Sequence, residues 1–473
     1  MGKIENIKRF LLEEPKSYLK RPKAKLQPIL AKQGDSSINL DKLADVISPV
    51  ALLEPLITVQ SPKHWSQAVS NLSDQVDAIL PMSIPAYPTE VWNSHPQPLI
   101  DRGLPIIFWP LMQYDEPDFW RWSASDFLRA LGVQVHIAQN TRHGLLLLKS
   151  FALKRFLAQS KIVVFGEQNF PWNANAAGHL IKNSLGIDII VKPISEIRGY
   201  YEKFSDQQVK SLWSKRKNRY IEKSVKPDQL KQAIRVYLSI RAILEDESAA
   251  AFGLNCFGDL IIKGGRDVPC LAQVLLREDS YVASCDGDFI AITTMMLITY
   301  FLDKTCMMSN MYPVQYVGAL KDHFGNPLSP NVKKYPKAKW KNLARLAHCG
   351  FVGVVSPEMT PSGKTSLCDW GGTYEIKRDG LGCGLDGDLA REPITVAELC
   401  FDGQTLLLAN AKVCETTRHK NMPHCESSGL LEFENLPGFV ENISREHTAV
   451  VYGSHIEELK VLADILKLDC KIF

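Results

Sequence analysis

Apolar residues in this chain fall into short runs separated by longer amphipathic stretches, and that alternation predicts its architecture. Ala78-Ile79-Leu80-Pro81 and Leu104-Pro105-Ile106-Ile107-Phe108-Trp109-Pro110 are apolar runs bounded by turn formers, the pattern of strands covered on both faces of a parallel sheet. Residues 126–131 read as a helix closed by Gly132, and residues 133–137 as the strand after it. A helix near 145–157 and a strand over 161–166 continue the cadence. Repeated alternation of this kind implies a doubly wound α/β layer. A second α/β unit follows, with a helix over 174–185, a strand over 186–191 and a helix over 227–247. The last carries Leu230, Ile234, Tyr237, Leu238 and Leu244 close to helical spacing, with Pro227 and Asp228 at its start.

Beyond about residue 315 the texture changes to Gly, Pro, Thr and short strand-like pieces, such as residues 351–355 and 406–410, which suits a β-rich, barrel-like domain. The chain finishes with a strand over 448–452, a Gly453-Ser454 turn and an amphipathic helix through Ile456, Leu459, Leu462 and Ile465. The expected division is therefore an amino-terminal α/β domain over 1–158, a second over 159–312 and a β-rich domain over 313–473. The first 75 residues resist this reading. Their Pro-rich and Lys-rich stretches and the apolar run over 46–59 assign no element.

Composition narrows the classes of function. With 473 residues the chain exceeds what one core supports, and 45% hydrophobic against 23% charged residues is globular composition. The 55 basic residues nearly cancel the 52 acidic ones, so no overall field favours nucleic acid, and a small molecule is the expected partner. The densest basic run, Lys215 to Arg219, is expected to be a solvated helix face. Residues 1–25 contain no continuous apolar stretch, and no later segment has the length of apolar sequence a membrane helix requires, so a soluble, cytoplasmic protein is expected. Eleven cysteines without framework spacing and without a Cys-x-x-Cys pair suggest free thiols in a reducing compartment.

Candidate chemistry concentrates at Ser284-Cys285-Asp286-Gly287-Asp288, where an apolar run gives way to a loop or helix, the edge at which sheet enzymes collect ligands. Asp286 and Asp288 are hard oxygen donors of the kind Mg²⁺ and Mn²⁺ take, and Asp-Gly-Asp is equally helix-cap and turn chemistry, so both readings stand. Downstream lie Met307-Met308-Ser309-Asn310, Leu346-Ala347-His348-Cys349-Gly350 and Arg445-Glu446-His447-Thr448. A lone histidine in such surroundings is ordinarily a hydrogen-bonded core group. The loop with Arg418, His419, His424, Cys425 and Glu426 fits no zinc spacing and is expected to be a solvated connection. Trp370, beside Asp369 and Gly371-Gly372, is either a sugar-stacking ring or core.

From Asp286 to Asn310, and in Glu446-His447-Thr448-Ala449-Val450-Val451-Tyr452-Gly453-Ser454-His455 with the helix after it, the chain resembles the L-fucose isomerase family and its shorter relatives. The resemblance implies two α/β domains followed by a β-barrel-like domain, and a homo-oligomer, trimeric or hexameric, whose neighbouring subunits complete each active site. It also implies aldose–ketose isomerisation at a divalent metal, usually Mn²⁺, held by a Glu, an Asp and a His. By motif position Asp286, Asn310 and His447 match these, and the His348-Cys349-Gly350 segment resembles one in the shorter relatives.

Two departures bear on the chemistry. Asp286 shortens the carboxylate arm by a methylene, about 1 Å of reach. Asn310 offers an amide oxygen to a metal but does not exchange a proton. Asp286, Asp288 and His447 are thus the expected catalytic residues, with Asp288 or Asp259 as a replacement base. Mn²⁺, or another divalent cation such as Mg²⁺, is the expected cofactor. The alternatives are a sugar-binding protein that has lost catalysis and an epimerase or lyase on the same scaffold.

Overall fold

A computed structural model describes residues 16–31, 39–82, 96–109, 119–166, 173–256, 268–316, 332–348, 355–370, 372–373, 376–377, 382–418 and 427–473. The chain makes two compact units. One comprises Arg21–Leu157 with Asp464–Leu466, and the other Met1–Lys20, Ala158–Ala463 and Lys467–Phe473.

The smaller unit is built on a parallel sheet. Its strands run in the order Ala51–Leu53, Ala24–Ala31, Ala78–Pro81, Ile106–Phe108 and Val135–Ile137, with Ile57–Val59 also paired to Ala24–Ala31. The strands expected around 78–81, 104–110 and 133–137 are all present. The apolar run over 46–59 resolves into the end of helix Leu40–Ile47 and two three-residue strands. Such short strands have too little local pattern to be read alone, and they are fixed by pairing with Ala24–Ala31. The core contains Ile29, Trp65, Ile79, Ile106, Leu128 and Val135.

The larger unit begins with four parallel strands, β1 (Lys161–Phe165), β2 (Asp188–Lys192), β3 (Ala251–Leu254) and β4 (Val282–Cys285), in the spatial order β4-β3-β1-β2. Parallel neighbours need crossovers, and helices α1 (Ala174–Leu185), α2 (Pro227–Glu247) and α3 (Cys270–Glu278) lie within them. The two helices over 174–185 and 227–247 fall where the apolar spacing placed them. Helix α4 (Phe289–Leu302) follows β4. It is apolar on nearly every face and buried along most of its length, as a helix enclosed within a core must be.

After α4 the chain builds the barrel that the composition shift foretold. Strands β5 (Met307–Pro313), β6 (Leu343–Ala347), β7 (Pro393–Leu399), β8 (Thr405–Arg418), β9 (Ser427–Phe433) and β10 (His447–Tyr452) pair antiparallel in the order β7-β10-β5-β6-β9-β8, and β8 pairs β7 to close the ring. Closure satisfies the edges that an open sheet exposes. The terminal helix α5 (Ile456–Leu466) leads to a last strand, Asp469–Ile472, parallel to β8. The protein is therefore mixed α/β, with parallel sheets and a closed six-stranded antiparallel barrel.

Several expectations meet a different outcome or fall elsewhere. The basic run is only partly solvated, because Arg216 turns inward to Asp279 at 2.5 Å and Glu278 at 3.3 Å, while Lys215 and Lys217 are exposed. Trp370 is fully buried and belongs to the core. Residues 351–354 of the expected strand, Gly371, Asp259 and residues 419–426 of the Cys/His loop lie outside the described residues. The nine described cysteines are free, and no described helix is long and apolar enough to cross a membrane.

One glycine decides how the sheet meets α4. A Cβ on Gly253 of β3 would lie 2.5 Å from Ile292 Cδ1 and 3.3 Å from Gly287 Cα, so a side chain there would turn the end of Ile292 aside and push the turn after β4 back by a few tenths of an ångström. Gly253→Ala is expected to destabilise the larger unit by about 1–3 kcal/mol, read as a lower melting temperature in calorimetry.

Candidate metal centre

The site starts at the carboxyl end of β4. After Cys285 the backbone passes through two consecutive left-handed residues, Asp286 at φ 56° and Gly287 at φ 69°, before Asp288 opens α4. Glycine takes that conformation freely, and aspartate is among the few side chains that tolerate it. Asp288 then caps the helix, its Oδ1 accepting from the N–H groups of Ile290 (3.0 Å) and Ala291 (2.9 Å). The tight turn leaves the Asp286 carboxylate at the sheet's carboxyl edge.

Three adjacent barrel strands meet it there. His447 opens β10 and lies opposite Asn310 of β5, which on its other side lies opposite Ala347 of β6, the residue before His348. The side chains of Asp286, His348 and His447 converge, each offering one donor atom, and the three atoms lie within 4.8 Å of one another. His348 Nε2 is 3.0 Å and His447 Nε2 3.5 Å from Asp286 Oδ2. Both imidazoles are buried, whereas the Asp286 side chain is 21% exposed. Asp286 Oδ1 has the Cys256 thiol 3.8 Å away, and burial beside Cys285 keeps that thiol protonated.

Asn310 adds an oxygen. Its Nδ2 donates to the Tyr312 hydroxyl (2.9 Å), which fixes the amide, and its buried Oδ1 has no hydrogen-bond partner. Cβ atoms of directly opposed antiparallel residues are about 4.5–5.5 Å apart, so Asn310 stands next to His447. Buried acceptors left unmatched are uncommon and point to a group that completes them. Two imidazoles, a carboxylate and an amide oxygen form a donor set suited to a divalent first-row cation.

Behind the ligands, Asp288 Oδ2 sits 2.9 Å from His447 Nδ1, so Nε2 is the nitrogen directed at Asp286. This is the carboxylate–histidine arrangement that fixes a metal-binding imidazole. Arg445 Nε lies 2.9 Å from the same Asp288 oxygen, as an ion pair not aligned as a hydrogen bond. The side chains of Asp288, Arg445 and Glu398 are all essentially inaccessible to solvent.

Charge follows from this geometry. Burial opposes ionisation of Asp286, but the facing His348 and His447 imidazoles outweigh it and hold its carboxyl well below the usual range. Burial likewise opposes the charge on Asp288, and Arg445 and His447 more than compensate. For His447 burial works against protonation, yet hydrogen bonds to Asp286 and Asp288 push its pKa up to about 9. Without a metal, His447 is therefore an imidazolium between two carboxylates at neutral pH.

Of the residues singled out in the sequence, Asp286 and His447 are brought together, Asn310 lies beside them and Asp288 stands behind His447 as both cap and support. Sequence reasoning assigned His348 no ligand role. Its only signal was a segment likeness, since nothing local separates it from a core histidine; pairing of β5 with β6 brings it in.

Residues 174–302 match the family model described as the L-arabinose isomerase central domain. The matched segment runs from α1 to the end of α4 and contains Asp286 and Asp288. The match supports the sugar isomerase superfamily and does not single out the fucose isomerase branch. No curated protein matches the chain. Among solved structures, a chain described as A-type ketoreductases from modular polyketide synthase is 12% identical over 58% of this chain and 80% of its own, with a TM-score of 0.20. An ABC transporter substrate-binding protein from Desulfitobacterium hafniense, in complex with Leu, is 11% identical over 86% and 100%, with a TM-score of 0.16. Likenesses at that level carry no argument.

The histidine sets a pH signature. A divalent ion at this site would require neutral His447, so its uptake below the histidine pKa of about 9 would release a proton, and affinity should rise about tenfold per pH unit from 7 towards 9. Calorimetry in buffers of different ionisation enthalpy reads that proton. In the metal-free protein the folded pKa lies above the ordinary 6.5. The stabilisation is therefore complete below 6.5 and is lost as pH rises through 9, so melting temperature should fall across that window and fall less in His447→Asn.

Proposed function

We propose that this protein is a metal-dependent aldose–ketose isomerase of the fucose isomerase-like type, with an open-chain sugar as substrate. The observation that carries this reading is the convergence of Asp286, His348 and His447 at the carboxyl edge of the sheet, on a chain whose residues 174–302 match an arabinose isomerase domain. In this reading Asp286, His348 and His447 hold the ion and the Asn310 amide oxygen is a fourth donor. Two imidazoles in the set favour Mn²⁺ over Mg²⁺, which takes oxygen donors almost alone. A divalent ion held there would supply Lewis acidity towards the sugar carbonyl.

The chain's own groups do the rest. Asp288 holds His447 with Nε2 forward. Its Oδ1 is taken by two backbone donors and its Oδ2 by His447 and Arg445, so it acts through the histidine rather than on the sugar. Moving a proton between C1 and C2 through an ene-diol requires an acceptor within hydrogen-bond reach. Among the described carboxylates around the imidazoles, Asp286 has solvent access, and we assign it that role together with its place in the donor set.

Deuterium entry at C1 or C2 of a panel of pentoses, hexoses and 6-deoxyhexoses, incubated with the protein and Mn²⁺ in D₂O, tests the reading by NMR. Exchange is expected to need metal and to be lost in His447→Ala. Asp288→Asn should weaken Mn²⁺ binding about 10- to 100-fold while exchange persists at saturating metal. Metal binding with no exchange across the panel would instead favour a sugar-binding protein, the reading that the neutral Asn310 supports. Asn310→Asp adds a negative charge to the donor set and should tighten Mn²⁺ binding about tenfold; calorimetry showing no gain would remove Asn310 from the set.

A further inference from the structure

The strongest feature outside the donor set is the charged chain behind it. Arg445 lies two residues before His447, and its side chain is 1% exposed. Nη1 donates to the Leu399 carbonyl at 2.8 Å and lies 3.7 Å from Glu398 Oε1, while Nε faces Asp288 Oδ2 at 2.9 Å. Glu398 Oε1 also accepts the Ser444 N–H at 2.7 Å. The end of β7 therefore grips the turn that delivers β10, through one side-chain acceptor on the backbone and one backbone acceptor on the side chain.

This geometry constrains Asp288. Its Oδ1 is held by the Ile290 and Ala291 N–H groups, and its Oδ2 lies 2.9 Å from both His447 Nδ1 and Arg445 Nε. The planar, always charged guanidinium therefore fixes the oxygen that faces Nδ1, and with it the direction of Nε2. The guanidinium faces Asp288 Oδ2 at 2.9 Å and Glu398 Oε1 at 3.7 Å, so its charge is not buried alone.

We propose that Arg445, braced by Glu398 and the Leu399 carbonyl, is a positioning residue that holds Asp288 as the anchor of His447 and thereby sets the site's affinity for a divalent cation. The inference rests on the reading of His447 as a metal ligand. It extends that reading to a residue that touches neither metal nor substrate.

The test is calorimetric titration of the full chain with Mn²⁺ alone, comparing Arg445→Gln with Arg445→Lys. Arg445→Gln keeps a polar group for the Leu399 carbonyl but removes the charge, and should weaken Mn²⁺ binding about 10- to 100-fold, the range found for lost support behind a metal-binding histidine. Arg445→Lys keeps the charge and should recover most of that loss. In an Asp288→Asn background, Arg445→Gln should have little further effect, because the two act through one contact. A purely structural role would leave the losses additive and lysine no better than glutamine. Either that outcome, or wild-type affinity in folded Arg445→Gln, would overturn the proposal. Should Arg445→Gln fail to fold, Arg445→Lys is expected to bind Mn²⁺ within a few-fold of the unmodified chain, and a loss of about tenfold or more in Arg445→Lys would overturn it. Failure of the unmodified chain to bind Mn²⁺ would instead overturn the metal reading itself, and this inference with it.

Discussion

The Asp288 carboxylate joins the three parts of the larger unit. One oxygen accepts the first N–H groups of α4, and the other meets His447 of the barrel and Arg445 of the turn before it. A helix start, a sheet edge and a barrel strand are thus tied at one buried point. Each partner compensates part of the cost of burying the charge, and an isolated carboxylate could not stand there. The short left-handed turn through Asp286 and Gly287 joins β4 to this helix start, and the Asp286 carboxylate faces the histidines from it.

Division of labour between the two aspartates comes from accessibility rather than residue type. Asp288 has no solvent access and its oxygens are occupied, so it orients. Asp286, one residue past the strand, keeps partial access and faces two imidazoles. Asn310 is different, because its amide contributes an oxygen and no charge, and the site is correspondingly less negative than one with a carboxylate there.

The barrel contributes precision. Its closed antiparallel register sets His447 opposite Asn310 and Asn310 opposite Ala347, so neighbouring strands fix the spacing of His447 and Asn310, while His348 follows the end of β6 and Asp286 comes from the turn after β4. Groups held on strands reorganise little when an ion binds, which favours affinity and geometry alike.

The sequence by itself determined the alternation of strands and helices, the change to a β-rich texture, and the candidacy of Asp286, Asp288 and His447. These follow from periodicities of two and 3.6 residues and from short motifs, which are local properties of the chain. Helix 227–247 and strand 161–165 were legible for that reason, whereas the three-residue strands at 51–53 and 57–59 were not, since their identity lies in a pairing. Only the tertiary structure decided that His348 joins the site across 62 residues from Asp286, and that Asp288 supports His447 across 159. It likewise decided which of the two aspartates caps α4 and which stands between His348 and His447. Such contacts depend on strand register and barrel closure, which no window of sequence contains, because one residue of slip in its strand would turn His447 to the opposite face.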